Sequence, residues 1–285
     1  MSKERQIYYN AVFGAIGGLL GWLVVGLFTT GQWNIWTAYA FVGAGIGLFV
    51  GGTVGAVEGM VIKQSTSQAI QGALIGAAAG LVSGIFGLLL GQAGFLLLGG
   101  GILGRSLGWL LLGLFLGLGD GIVNRSGRRA IYGVAGGTVA GAVGGILYES
   151  MTQLFLQRGD TVQMIVGAIG LILIGACLGG IIPFTISMGA RGLLRVLNGK
   201  KGGLERSIVD AVLLGSYDGC DVYLPGDPGI ALKHARIYRK QGTFFLEDLG
   251  SQQTFVNNVP VNEGAAVQID QGTRVRLGST EMELV

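Results

Sequence analysis

Between residues 8 and 188 the chain runs as six apolar stretches of roughly 20 residues, near 8–28, 38–61, 69–90, 103–123, 130–148 and 164–184. At about 1.5 Å of rise per residue, ~20 apolar residues in an α-helix cross the roughly 30 Å hydrocarbon core of a bilayer. Backbone polar groups in that core must pair within their own element, so such stretches read as spanning helices. The separators are TTGQWNIW, KQSTSQ, QAGFLLLGGG, NRSGRR and ESMTQLFLQRGDTVQ. The third is itself apolar, so residues 95–123 read alternatively as one tilted helix or as a segment with a re-entrant piece. Composition agrees: only 12% of residues are charged and the mean hydropathy is +0.61, against roughly 25% charged in a soluble domain. Met1-Ser2-Lys3-Glu4-Arg5 leads directly into a full-length span, without the pattern of a cleavable secretory signal.

Charge orients the spans. Residues 1–203 carry 12 Lys/Arg against 5 Asp/Glu, whereas residues 204–285 carry 7 against 11. The basic residues fall at the N-terminus (Lys3, Arg5), in alternate loops (Lys63; Arg125, Arg128, Arg129) and after the last span (Arg191, Arg195, Lys200, Lys201). Cytoplasmic loops carry the Lys/Arg excess, which predicts an integral inner or plasma membrane protein with both termini in the cytoplasm. Spread over short loops, the same excess is no footprint for nucleic acid.

Glycine gives a second pattern. AVFGAIGG, AIQGALIG and AIYGVAGG are one phrase written three times: Gly14, Gly18 and Gly26 match Gly72, Gly76 and Gly84, then Gly133, Gly137 and Gly145. Gly51/Gly55, Gly113/Gly117 and Gly175/Gly179 recur likewise. Three two-helix hairpins follow, about 8–66, 67–127 and 128–189. Gly72-Gly76-Gly80-Gly84 and Gly133-Gly137-Gly141-Gly145 each put glycine on one helix face, where backbones approach closely in lipid. These glycine zippers serve packing within the bundle or between copies in a homo-oligomer; a glycine-lined permeation path is the alternative.

Ionisable residues inside spans are functional suspects. Glu58 and Asp120 occupy equivalent repeat positions, five residues before Lys63 and Arg125. They read as carboxylates snorkelling to, or pairing with, loop cations, or as a cytoplasmic pore-mouth site. Arg105 reads as an interfacial anchor in preference to a gate, and Trp33, Trp36 and Tyr39, with Tyr8 and Tyr9 at the inner edge, as an aromatic belt. Pro183 ends or kinks the last helix. Cys177 and Cys220 lie in different parts of the chain and read as free thiols, Cys177 packing as a small apolar group.

From about residue 190 the pattern changes to short alternating runs: LLRVLNG, SIVDAVLLG, CDVYL, HARIYRK, TFFLEDL, QTFVNN, AAVQI, TRVRLG and EMELV. Runs at this spacing, with Gly and Asp/Asn between them, predict a β-sandwich. The boundary divides the chain into an all-α membrane domain, 1–189, and an all-β domain, 190–285. The ordered blocks LLRVLNGKKGG, LLGSYDGCDVYLPGDPGIALKHARI, LEDLGSQQTFVNN and TRVRLGSTEMEL resemble the forkhead-associated (FHA) domain, a β-sandwich that binds phosphothreonine peptides. The resemblance implies that His234, the only histidine, is structural and holds the binding loops, with Gly215 opening the first of them. It also locates departures. Where the family usually has Gly-Arg the chain has Gly215-Ser216; where it has Ser and then Arg the chain has Ala231 and Leu232. The later loop is one residue short, as Ser251-Gln252-Gln253-Thr254. Arg is the best donor to a phosphate dianion, so two readings stand: the usual phosphothreonine recognition, or a repurposed surface for an unphosphorylated partner or a neighbouring copy of the chain. The loop residues placed to make either contact are Ser216, Ala231, Lys233, Ser251, Gln253, Thr254, Asn257 and Asn258.

The sequence holds no nucleophile elbow, P-loop or metal-ligand cluster, which argues against an enzyme and implies no cofactor. The expected function is a membrane-anchored FHA signalling or scaffold protein with cytoplasmic protein partners, phosphothreonine-bearing if the usual recognition holds. The alternative is an oligomeric channel or transporter regulated by the FHA-like domain.

Overall fold

A computed structural model describes residues 2–28, 33–99, 101–123, 126–155, 157–251 and 253–285. The chain divides into two units: Ile7–Met188, and Gly189–Val285 together with Met1–Gln6.

The first unit is helical: α1 Lys3–Phe28 (from Ile7 onward), α2 Ile35–Val57, α3 Thr66–Leu97, α4 Gly101–Val123, α5 Gly127–Leu154 and α6 Asp160–Met188. A π-helical turn, Glu58–Lys63, extends α2. All six helices are long and apolar enough to cross a membrane. They exceed the expected apolar stretches because polar termini are helical too. Ser65 and Ser126, 61 residues apart, each accept a backbone N–H three residues on and so start α3 and α5. The apolar third connection is mostly helix, since α3 continues to Leu97; neither one long helix over 95–123 nor a re-entrant piece forms. Pro183 does not end α6, which continues five residues past it to Met188.

The packing inverts that of a soluble bundle. Large side chains such as Leu74, Ile131 and Ile122 point outward, each about two-thirds exposed, while glycines face inward. A Cβ built on Gly72, Gly76, Gly80 or Gly84 would strike the backbone carbonyl of Gly55, Gly51, Gly47 or Gly43 across the α2–α3 interface. Gly133 and Gly137 meet Gly117 and Gly113 in the same way between α5 and α4. Gly141 lies against the Trp109 carbonyl and Gly145 against its side chain. On α1, Gly14 and Gly18 meet Gly175 and Leu171 of α6. Each odd-numbered helix thus docks on the even-numbered helix before it, with α1 on α6, and the ring closes. Its centre is filled by Ile46, Val50, Leu112, Ile174 and Leu178.

The second unit is a β-sandwich. Its strands are β1 Gly192–Val196, β2 Glu205–Ile208, β3 Val212–Gly215, β4 Val222–Tyr223, β5 Ala235–Lys240, β6 Thr243–Asp248, β7 Thr254–Val256, β8 Val259–Pro260, β9 Ala266–Ile269, β10 Arg274–Leu277 and β11 Thr280–Leu284. One sheet has the order β2-β1-β11-β10-β7-β8, the other β4-β3-β5-β6-β9. The run SIVDAVLLG is not one strand: β2 belongs to one sheet and β3 to the other, and Val209-Asp210-Ala211 carries the chain across. Leu194, Ile208, Leu214, Ile237, Leu246, Ile269, Leu277 and Met282 fill the space between the sheets, almost wholly buried.

Candidate binding loops of the β unit

The loops at one end of the sandwich are built on the block Ala231–His234. Ser216 and Tyr217 donate backbone N–H bonds to the carbonyls of Ala231 and Leu232, and His234 N–H donates to Leu214. A Cβ at Gly215 would collide with the Leu232 carbonyl, so glycine is required there for the strands to approach. Asp227 ties the other side of the loop. Its carboxylate accepts from Gly229 N–H at 2.9 Å, Ser279 N–H at 2.8 Å and Ser279 Oγ at 2.7 Å. Burial raises its pKa, but these bonds outweigh burial and hold the group below the ordinary carboxylate value.

His234 is fully buried and its protonation follows from its partners. Ala231 N–H donates to Nδ1 at 3.1 Å; an amide only donates, so Nδ1 carries no proton and Nε2 does. Nε2 lies 2.8 Å from Ser251 Oγ and 3.1 Å from Thr254 Oγ1. Both hydroxyls donate onward to Asp248, which also accepts from the N–H groups of Gly250 and Ser251. A continuous relay thus runs from the loop backbone at Ala231 to the buried carboxylate of Asp248. Desolvation depresses the His234 pKa, against the nearby Asp248 charge. At Asp248 the burial effect is outweighed by the hydroxyl and backbone donors, and the pKa lies below the ordinary value.

This relay changes the standing of several expected contact residues. Thr254 is buried and its hydroxyl is spent on Asp248; the Ser251 hydroxyl is spent in the same way. Asn257 and Asn258 form the left-handed turn between β7 and β8, at the far end of β7 from Thr254. The Asn257 side chain accepts from Arg274 N–H there. Ser216, Ala231, Lys233 and Gln253 remain at the accessible loop surface. Arg236 is no spare phosphate donor, because its guanidinium pairs with Glu247 at 2.6 Å across β5–β6. Sequence reasoning missed two apolar residues here: Tyr217 is 47% and Leu249 40% exposed, beside the 69% exposed Leu232. Leu249 N–H donates to the His234 carbonyl, which joins it to the same block.

Residues 212–278 match the FHA domain family. This segment is an FHA domain. Over its C-terminal third the chain is similar to the FHA domain of the CT664 protein from Chlamydia trachomatis, with 28% identity, covering 34% of this chain and 97% of that one at a TM-score of 0.31. It is similar to the FhaA FHA domain solved in complex with the intracellular domain of Rv3910, with 27% identity, covering 33% of this chain and 99% of that one at a TM-score of 0.29. The N-terminal FHA domain of S. cerevisiae Rad53p in complex with a phosphothreonine peptide shares 16% identity, covering 33% of this chain and 90% of that one at a TM-score of 0.30. No curated protein matches the chain. The FHA domain makes the C-terminal part a protein-interaction module of the phosphopeptide-binding kind.

In the helical unit the ionisable residues fall into two groups. Glu58, in the π-helical turn, pairs with the buried Lys63 at 3.6 Å, and Asp120 pairs with Arg129 at 3.7 Å. Arg125, the expected neighbour of Asp120, lies outside the described residues. Arg105 is elsewhere: its guanidinium covers the Phe95 ring at 5.3 Å, and with Tyr39 it lines a cavity inside the bundle. Among the described residues no group of three His, Cys, Asp or Glu side chains is placed to hold a metal.

Proposed function

We propose that the chain is a membrane-anchored interaction protein whose six helices hold the FHA domain at the cytoplasmic surface, and whose loops bind a protein partner through an apolar contact. The observation that carries this reading is the loop surface itself. Leu232, Tyr217 and Leu249 are exposed around Ala231, and the Ser251 and Thr254 hydroxyls are turned inward to Asp248. A cluster of exposed apolar side chains on a binding loop marks a protein contact. The family's guanidinium and serine hydroxyl, the groups suited to a phosphate dianion, are absent from positions 216, 231 and 232. The alternating basic loops support cytoplasmic termini. Self-assembly through glycine faces has little left to rest on, because those faces are taken up within one chain.

The test uses the full chain in nanodiscs and paired peptides, with and without phosphothreonine. The expected result is no preference for the phosphorylated member. Restoring the anchors with Ser216→Arg, Ala231→Ser and Leu232→Arg is expected to raise phosphothreonine affinity about tenfold or more, as charge-assisted bonds to phosphate do. Selective phosphothreonine binding by the unaltered protein refutes the reading. Recovery of the expressed chain in the soluble fraction refutes the anchor.

A further inference from the structure

All six helices of the membrane unit line one cavity of about 570 Å³. Its wall carries five aromatic rings: Trp22, Tyr39, Phe95, Trp109 and Tyr148. It ends on Ile46, Leu88 and Leu171 of the apolar core. Two polar side chains are buried in it, Gln92 at 3% exposure and Glu149 at 5%. Arg105 and Gln163 are exposed at its rim. Arg105 lies within electrostatic reach of Glu149, and the Trp109 side chain is a hydrogen-bonding neighbour of that carboxylate.

A carboxylate and an amide inside an apolar bundle are functional suspects, and here both line the same cavity. The volume lies in the range of small-molecule sites, roughly 300–1,000 Å³, and the lining is mostly apolar with a few convergent polar groups, as such sites are. The charges specify more. A buried carboxylate among Trp and Tyr faces attracts an organic cation, through charge and through the ring quadrupoles. Arg105 at the rim repels a bare cation and attracts a carboxylate or phosphate. A bare anion meets the converse problem at Glu149. A ligand carrying both charges, with its ammonium inward and its anion toward the rim, satisfies both.

We propose that this cavity binds a small zwitterion, an ammonium joined by a short linker to a carboxylate or phosphate, with Glu149 and the aromatic wall receiving the ammonium and Arg105 the anion. Such chemistry occurs in free solutes and in the head group of an ethanolamine lipid. This site is independent of the FHA domain and of what that domain binds.

The experiment measures ligand-dependent change in tryptophan fluorescence of the full chain in phosphatidylglycerol nanodiscs. Phosphoethanolamine, glycine and glycine betaine are titrated beside ethanolamine, choline and inorganic phosphate. A parallel arm replaces half of the phosphatidylglycerol with phosphatidylethanolamine. Saturable binding by at least one zwitterion, weaker for every single-charge probe, is the expected result. A response only in the phosphatidylethanolamine arm identifies the source as lipid; a response to the free probes identifies a solute. Glu149→Gln keeps the shape of the side chain and Arg105→Gln changes only the rim. Each is expected to weaken binding about tenfold or more, the scale of one lost charged contact. Absence of any response in both arms, or single-charge probes binding as well as zwitterions, overturns the proposal without recourse to a variant. Undiminished binding in both variants overturns it as well.

Discussion

The protonation state of His234 makes the FHA domain sensitive to acid. The fold holds the imidazole neutral, because Nδ1 must accept from Ala231 N–H, and desolvation depresses its pKa below the ordinary 6.5. As pH falls through about 6.5, the unfolded chain takes up a proton that the folded chain resists, so stability is lost on acidification. Asp248 and Asp227 act with the same sign at lower pH. Their folded pKa values lie below the ordinary 3.8, so the stability they confer is present above that value and lost as pH falls below it. The melting temperature of the β unit, followed in the full chain, is expected to hold steady above about pH 7 and to fall steadily below about pH 6; a rise on acidification contradicts the assignment of the Nε2 proton. Thr254→Val removes one hydroxyl from the relay and leaves Asp248 under-satisfied, at a cost of about 1–3 kcal/mol, read from denaturant unfolding. The motif block suggests a structural histidine, and His234 is indeed buried, but the fate of Ser251 and Thr254 could not be read from it. A hydroxyl looks the same in sequence whether it turns outward or, as at Ser251 and Thr254, donates to a buried carboxylate three or six residues back.

At the scale of elements, glycine distribution separates positions that the sequence makes look equal. Gly26 and Gly84 stand at matching positions, 58 residues apart. A Cβ at Gly84 would meet the Gly43 backbone carbonyl, whereas a Cβ at Gly26 would meet nothing within 4 Å. Gly84→Ala is therefore expected to force α2 and α3 apart and cost roughly 1–3 kcal/mol, seen as a lower melting temperature in detergent. Gly26→Ala is expected to be neutral or to stabilise α1 by up to ~1 kcal/mol through helix propensity. Equal effects at the two sites contradict the packing. The six apolar helices were legible because spans of that length have few other uses. Their ends were not, because Ser65 and Ser126 cap helices that start before the apolar residues do. Arg105 shows what spacing along the chain leaves out: its place near the end of a span suggests an interfacial anchor, and only the folded bundle shows it lining the same cavity as Glu149, 44 residues on.

At the scale of the whole molecule, the channel reading and the anchor reading differ in what the bundle axis contains. The cavity that holds Arg105 and Glu149 ends on Ile46, Leu88 and Leu171, and beyond it Leu112 and Ile174 are 0% exposed and Val50 and Leu178 2%. Taking an unpaired ion through such a region costs tens of kcal/mol in the limit of a dry, rigid interior. Glu58 and Asp120, the carboxylates that would line a pore mouth, are instead engaged with Lys63 and Arg129. The mostly apolar cavity with its few polar groups therefore gives way to a closely packed core, which favours the anchor reading over the channel. Proteoliposomes containing the full chain are expected to leak monovalent ions no faster than empty ones, with and without Glu58→Gln and Asp120→Asn. Flux above the empty control that those two substitutions abolish refutes the anchor reading and restores the channel. Leu112→Gly offers the complementary check. Removing a fully enclosed side chain at the closed section opens a cavity there, at a cost of roughly 2–5 kcal/mol, so ion leak that appears in this variant and not in the parent locates the barrier at that residue.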